Sequence, residues 1–181
     1  MLFRALLLSL LLSITHNAIA ALNGTKQIKL VDSKQNKTII GTVKFTSSAG
    51  KITYKLHINH DVFKDFFLSM KEMKCLEGKQ LWCHIPYPYP NKRVVTDNTL
   101  QWLEHDLLFM YKKPADFGAN FYNGVYYRLQ LTGDKITGIA TAVDLNLLAS
   151  PPESFEQPPI TQAELDDIDM SNHWLPNIII E

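Results

Sequence analysis

The sequence predicts a mainly β domain of the α+β kind: a curved antiparallel sheet or partly open barrel with one or two short helices against it. Three observations carry this. Two stretches, 38–58 and 125–142, alternate apolar and polar residues with period two, and each contains a turn. The only two cysteines flank a third candidate hairpin. No long run of helical periodicity interrupts these strands, and hydrophobic residues make up 46% of the chain, enough for a sizeable core.

Taken in order, residues 27–32 (QIKLVD) read as a first strand, closed by the polar loop 33–36. In 38–45, Ile39, Gly41, Val43 and Phe45 fall on one face and Thr38, Ile40, Thr42 and Lys44 on the other. After the turn 47–50, Ile52, Tyr54, Leu56 and Ile58 repeat the pattern, with Lys51, Thr53, Lys55 and His57 opposite. One buried face and one wet face is the mark of an antiparallel sheet. Residues 60–67 (HDVFKDFF) read as one or two helical turns, with apolar residues at 63, 66 and 67.

The stretch 68–90 (LSMKEMKCLEGKQLWCHIPYPYP) organises the chain. It reads as a β-hairpin in which Gly78 supplies the positive φ of a tight reversal. If Leu76 faces Trp82, Cys75 faces Cys83, and opposed residues of a non-hydrogen-bonded pair bring their Cα atoms to about 4.5 Å, within reach of a disulfide. Pro86, Pro88 and Pro90 then alternate with Tyr87 and Tyr89, which excludes a central strand.

Thr96 is placed to cap a helix over 97–105, with Leu100, Leu103 and Leu107 on one face. Residues 107–111 (LLFMY) fit either its continuation or a buried strand. In the next hairpin, Val125, Tyr127, Leu129 and Leu131 face Ala142, Ala140, Gly138 and Ile136 across the turn Gly133-Asp134. Large residues meet small ones, which fixes the register and leaves Tyr126 and Thr141 on the other face. Residues 149–159 are proline-rich, Thr161 and Glu164 have capping-box spacing for a short acidic helix over 162–170, and 174–180 is an apolar end.

Residues 1–20 (MLFRALLLSLLLSITHNAIA) have the positive n-region, leucine-rich core and small-x-small site of a secretory signal peptide. Cleavage after Ala20 is expected, giving a periplasmic or secreted protein with no membrane span in the mature chain. In an oxidising compartment Cys75 and Cys83 are expected to be bonded. The mature chain divides into a β-rich domain, 21–150, and an acidic proline-rich tail, 151–181. The first holds 17 Lys and Arg against 11 acids, a net +6, and the second holds no Lys or Arg and 7 acids, a net −7. A docked tail is expected, its apolar end anchoring and its charge guiding the approach.

No catalytic signature is present. G-x-S-x-G, the P-loop and G-x-G-x-x-G are absent, which disfavours serine hydrolase and nucleotide-binding designs. His57 and His60 stand three apart on a predicted strand, on opposite faces, and no third ligand follows at zinc spacing, so no metal or cofactor is expected. Glu164, Asp166, Asp167 and Asp169 lack the EF-hand pattern and read as a solvated acidic face. His84, or the His105-Asp106 pair, would supply the base and its orienter of a small hydrolase. The aromatic surplus is more suggestive: Tyr126 beside Arg128, together with Tyr87 and Tyr89, is placed to line a groove for a protein, peptide, glycan or lipid ligand. Nucleic acid is not expected, for want of a basic stripe clear of acids.

The segments FLSM (67–70), KCLEG (74–78), WCHIPYPY (82–89), DLLF (106–109), NGVYYRL (123–129) and LASPP (148–152) resemble those of an uncharacterised family of small exported, periplasmic proteins of Gram-negative bacteria. The resemblance implies a periplasmic location and a role defined by interaction, and it carries over no catalytic residue. The sequence therefore leads to a non-enzymatic exported domain that binds a partner or envelope component through aromatic loops, against a small periplasmic hydrolase.

Overall fold

The computed structural model describes residues 22–181 except 49, 50, 69, 70, 97, 168, 170 and 171. Residues 1–20, read as a signal peptide, Ala21, Ala49 and Gly50 of the first turn, Ser69 and Met70 of the 68–90 stretch, Asp97 of the expected helix and Met170 at the end of the last one lie outside the described residues. The fold is mainly antiparallel β with a few short helical pieces, as the alternation predicts. Among the described residues no helix is long and apolar enough to cross a membrane.

The strands are β1 (Gly24–Val31), β2 (Lys37–Ser48), β3 (Lys51–Ile58), β4 (Lys64–Leu68), β5 (Lys71–Glu77), β6 (Leu81–Ile85), β7 (Val94–Val95), β8 (Leu108–Lys112), β9 (Gly124–Thr132), β10 (Lys135–Val143), β11 (Leu165–Asp166) and β12 (Asn177–Ile180). All join one open sheet in the order β4-β5-β6-β8-β9-β10-β12-β1-β2-β3-β7, with β11 beside β10 off this path. One α-helix, α1 (Gln101–Asp106), precedes β8.

Two of the predicted hairpins have the predicted register. Cys75 pairs with Cys83 and Leu76 with Trp82, and the two cysteines are disulfide-bonded. Leu131, Leu129, Tyr127 and Val125 pair with Ile136, Gly138, Ala140 and Ala142. A Cβ at Gly138 would lie 2.6 Å from Leu129 Cδ2 and 2.7 Å from Ile178 Cγ2, so the small residues make room for large ones on both neighbouring strands. Residues 107–111 resolve as a strand, because β8 fills the place between β6 and β9.

Other expectations are corrected. In β2 the pairing with β1 skips Ile40, passing from Ile28↔Gly41 to Lys29↔Ile39. This bulge turns Ile40 into the core and leaves Ile39 45% exposed, reversing the alternation on its N-terminal side. Residues 60–67 hold only a 3₁₀ turn, His60–Val62, before β4. Thr96 does not cap α1: its hydroxyl accepts from the Asn98 and Thr99 amides in a separate turn, and α1 begins after Leu100 without a side-chain cap. The Thr161–Glu164 capping box forms, but around a 3₁₀ turn, Gln162–Glu164, and the expected helix stops there because Leu165 and Asp166 form β11. Gly78 has no positive φ; a Cβ there would fall 2.3 Å from Trp174 Cζ2, so its role is to admit an indole.

The sheet is not wet on its second face around β6, β8 and β9. Trp82, Phe109 and Tyr127 enter a large core with residues of β1, β2, β3, β10 and β12. Their neighbours Cys83, Met110 and Tyr126 enter a second core with Leu145, Leu148 and Ile160, brought over that face by the chain after β10. The apolar end of the chain is β12 itself. Ile178 and Ile180 are fully buried between β1 and β10, paired with Leu30 and Ile28 on one side and Gly138 and Ile136 on the other.

Candidate functional site

Three pieces of chain end around one cleft of about 680 Å³: β3 with the turn that follows it, β6 with its Pro-Tyr extension, and the end of α1. Among its walls are His57, His60, His84, Tyr87, Arg93 and Asp106. This volume lies within the range of small-ligand sites. β3 stops at Ile58, and the Asn59 side chain accepts from the Asp61 amide to start the 3₁₀ turn. His57 and His60 therefore share a cleft, which they would not do on one continuous strand. Among the described residues no group of three His, Cys, Asp or Glu side chains is disposed to hold a metal ion.

The chain reaches Arg93 through a constrained path. Asn91 donates its amide to the Trp102 carbonyl at 2.9 Å and accepts from the Arg93 amide at 2.7 Å. These bonds hold Arg93 at φ 52, the left-handed region that a long side chain enters at a cost of about 1–2 kcal/mol. Its Nε lies 3.9 Å from Asp106 Oδ2. The same carboxylate oxygen accepts from the Tyr54 hydroxyl at 2.9 Å. Burial raises the Asp106 pKa, opposed by the Tyr54 hydrogen bond and the Arg93 charge. Neither Tyr54 nor Arg93 is singled out as a site residue in the sequence, where Tyr54 falls on the apolar face of its strand. The legible signal was Asn91, whose side chain favours local backbone capture directly after a proline.

His84 is buried, and its Nε2 lies 3.1 Å from the backbone carbonyl of Asp106, so it donates to an end carbonyl of α1 and does not engage the carboxylate. Burial lowers its pKa, keeping the ring neutral. His105 has no free nitrogen. Its Nδ1–H donates to the Gln101 carbonyl at 2.8 Å, and its Nε2 accepts from the Ile160 amide at 3.1 Å. Desolvation lowers its pKa to about 4. His105 and Asp106 thus point to different partners, and no Ser, Thr or Cys lines the cleft among the described residues. Among the described residues, His105, Asp106 and a hydroxyl or thiol nucleophile are not brought together at this cleft.

The four aromatic-groove residues separate. Tyr87 lines the cleft, and its hydroxyl is buried without a hydrogen-bond partner. Tyr89 packs edge-on against it and donates to the Leu148 carbonyl at 2.7 Å, a structural tie. Tyr126 points away from Tyr127, as the alternation requires, but into the second core, where it is 2% exposed and donates to Glu104 Oε2 at 2.6 Å. Arg128 is exposed elsewhere, 3.6 Å from Asp167. Tyr87 and Tyr126 do meet the same residue, each edge-on to the His105 ring at 5.3 and 5.5 Å between centroids. The arrangement offers the cleft a guanidinium and two exposed imidazoles, with the Tyr87 ring in its wall. No protein-family model, curated protein or solved structure matches the chain.

Proposed function

We propose that this protein is an exported, non-catalytic binding domain of the cell envelope, and that the cleft between His57 and Arg93 receives its ligand. One observation carries the reading. An arginine is held in a costly backbone conformation at the wall of a cleft that also carries two exposed imidazoles, a conformation that a stable fold does not require. The engagement of both His105 nitrogens with backbone, and of His84 with a backbone carbonyl, supports binding over hydrolysis. Export rests on the n-region, apolar core and small-x-small site of residues 1–20, and the disulfide is consistent with an oxidising compartment.

The test is expression of the full chain in a Gram-negative host. The periplasmic fraction should hold a protein that begins at Ala21, and native mass spectrometry should find a co-purified small molecule that is lost from Arg93→Gln. A cytoplasmic protein that retains residues 1–20 would sink the location. Equal ligand retention by the wild type and Arg93→Gln would move the site elsewhere.

A further inference from the structure

Resting on that binding reading, we propose that the ligand is a small amphiphilic anion: a carboxylate or phosphate seated at Arg93, with an apolar body running into the adjoining pocket. The charge half follows from the state of Arg93. Its side chain is more than half exposed to the cleft, and its one ion-pair contact is through Nε, at the 3.9 Å margin of such pairs. Among the described residues its two Nη groups have no hydrogen bond, which leaves the fork that grips a carboxylate or phosphate in two-point fashion. The competing negative charge of Asp106 is shared with the Tyr54 hydroxyl. Asn59 uses its side-chain oxygen on the Asp61 amide, so its NH₂ is left as a donor towards the cleft. Asp61 itself is exposed and opposes an anion on its side, which makes Arg93 the seat.

The apolar half follows from a second pocket of about 360 Å³ that shares His60, His84, Pro86 and Tyr87 with the first. Met73, Ile85, Pro88 and Phe121 supply much of its remaining wall. Lys71 and Lys74 stand at this pocket too, with Glu72; Lys74 is paired with Asp65. A molecule lying across both pockets passes Tyr87, which lines each of them. A sugar would use the polar cleft and leave the second pocket empty. A fully apolar ligand would leave the guanidinium unused.

The experiment uses the mature chain and four probes in titration calorimetry, below their micelle concentrations: decyl phosphate, decanoate, decyl glucoside and inorganic phosphate. Side-chain carbon–proton NMR of His57, His60 and Tyr87 reports where each probe sits. Decyl phosphate or decanoate should bind at least tenfold tighter than decyl glucoside, which has the tail without the charge, and than inorganic phosphate, which has the charge without the tail. Arg93→Gln should remove that preference. Equal or tighter binding of decyl glucoside at the cleft would overturn the anion and leave the binding reading standing. Equal binding of inorganic phosphate would overturn the apolar half. Failure of all four to shift the cleft signals, in protein that still carries a ligand from the periplasm, would overturn the amphiphile alone. The same failure in ligand-free protein would overturn both.

Discussion

Protonating His105 would take away the acceptor of the Ile160 amide and place a charge among Tyr87, Trp102 and Tyr126. Its folded pKa of about 4 lies below the ordinary value of 6.5, so the unfolded chain takes up this proton first as the pH falls. The contribution is fully present above pH 6.5 and is lost between pH 6.5 and 4, up to about 3 kcal/mol for a shift of this size. Urea unfolding at pH 7, 5.5 and 4 should show that decline, and His105→Phe should flatten it. An equally steep decline in His105→Phe would assign it to other groups. Gly78 makes a second residue-scale case. Because its Cβ would enter the Trp174 ring, Gly78→Ala should cost about 1–3 kcal/mol and redden or quench the tryptophan emission. A variant as stable as the wild type would mean that the indole moves aside freely.

At the scale of elements, what could be read from the sequence was local and what could not was context. The cysteine hairpin and the 125–142 hairpin were legible because each is a short-range pairing whose register is set by complementary side chains. The Ile40 bulge was not, since one extra residue leaves the apolar alternation of the sequence intact while it turns the side chains over. Thr141 shows the other limit. It faces away from Tyr127, yet it is 1% exposed and donates to the Tyr126 carbonyl, because residues 145–160 cover that face. Both Ala140→Leu and Thr141→Leu should therefore destabilise by about 1–3 kcal/mol, the first by overpacking against Tyr127 and the second by overpacking together with a lost hydrogen bond. Chemical denaturation of the two variants checks this, and a neutral Thr141→Leu would mean the second face has room to spare. The candidate site was half legible for the same reason: its histidines were visible, but their meeting with Arg93 depends on three distant chain ends.

At the scale of the molecule, the charge division of the sequence has a structural counterpart. Glu181 is surrounded by Lys29, Lys37 and Lys135, at 3.1, 3.6 and 3.0 Å, Glu156 pairs with Lys92, and Asp167 with Arg128. The lysines lower the Glu181 pKa to about 2, but the group is exposed and salt will screen it. Burial of Ile178 and Ile180, at roughly 1.5–3 kcal/mol each, outweighs such pairs, and β12 also supplies backbone bonds to two strands. Three further ties hold its approach: the Tyr127 hydroxyl donates to the Leu175 carbonyl, the Trp174 amide to Gln80 Oε1 and the Ala140 amide to the Pro176 carbonyl. Deleting residues 160–181 should abolish the cooperative thermal transition, and high salt should not restore it. A truncated chain that melts like the wild type would show that β1 and β10 do without β12.

Because synthesis runs from the amino end, the strand that joins β10 to β1 is made after both of its neighbours. At about 5–20 residues per second, roughly seven to thirty seconds separate the first strand from the last. Hairpins form in microseconds, so β1 to β3 and β9 to β10 have ample time to pair, but they wait as two half-sheets with facing unpaired edges. An interruption of synthesis near residue 170 would therefore leave two exposed edges for other chains to occupy.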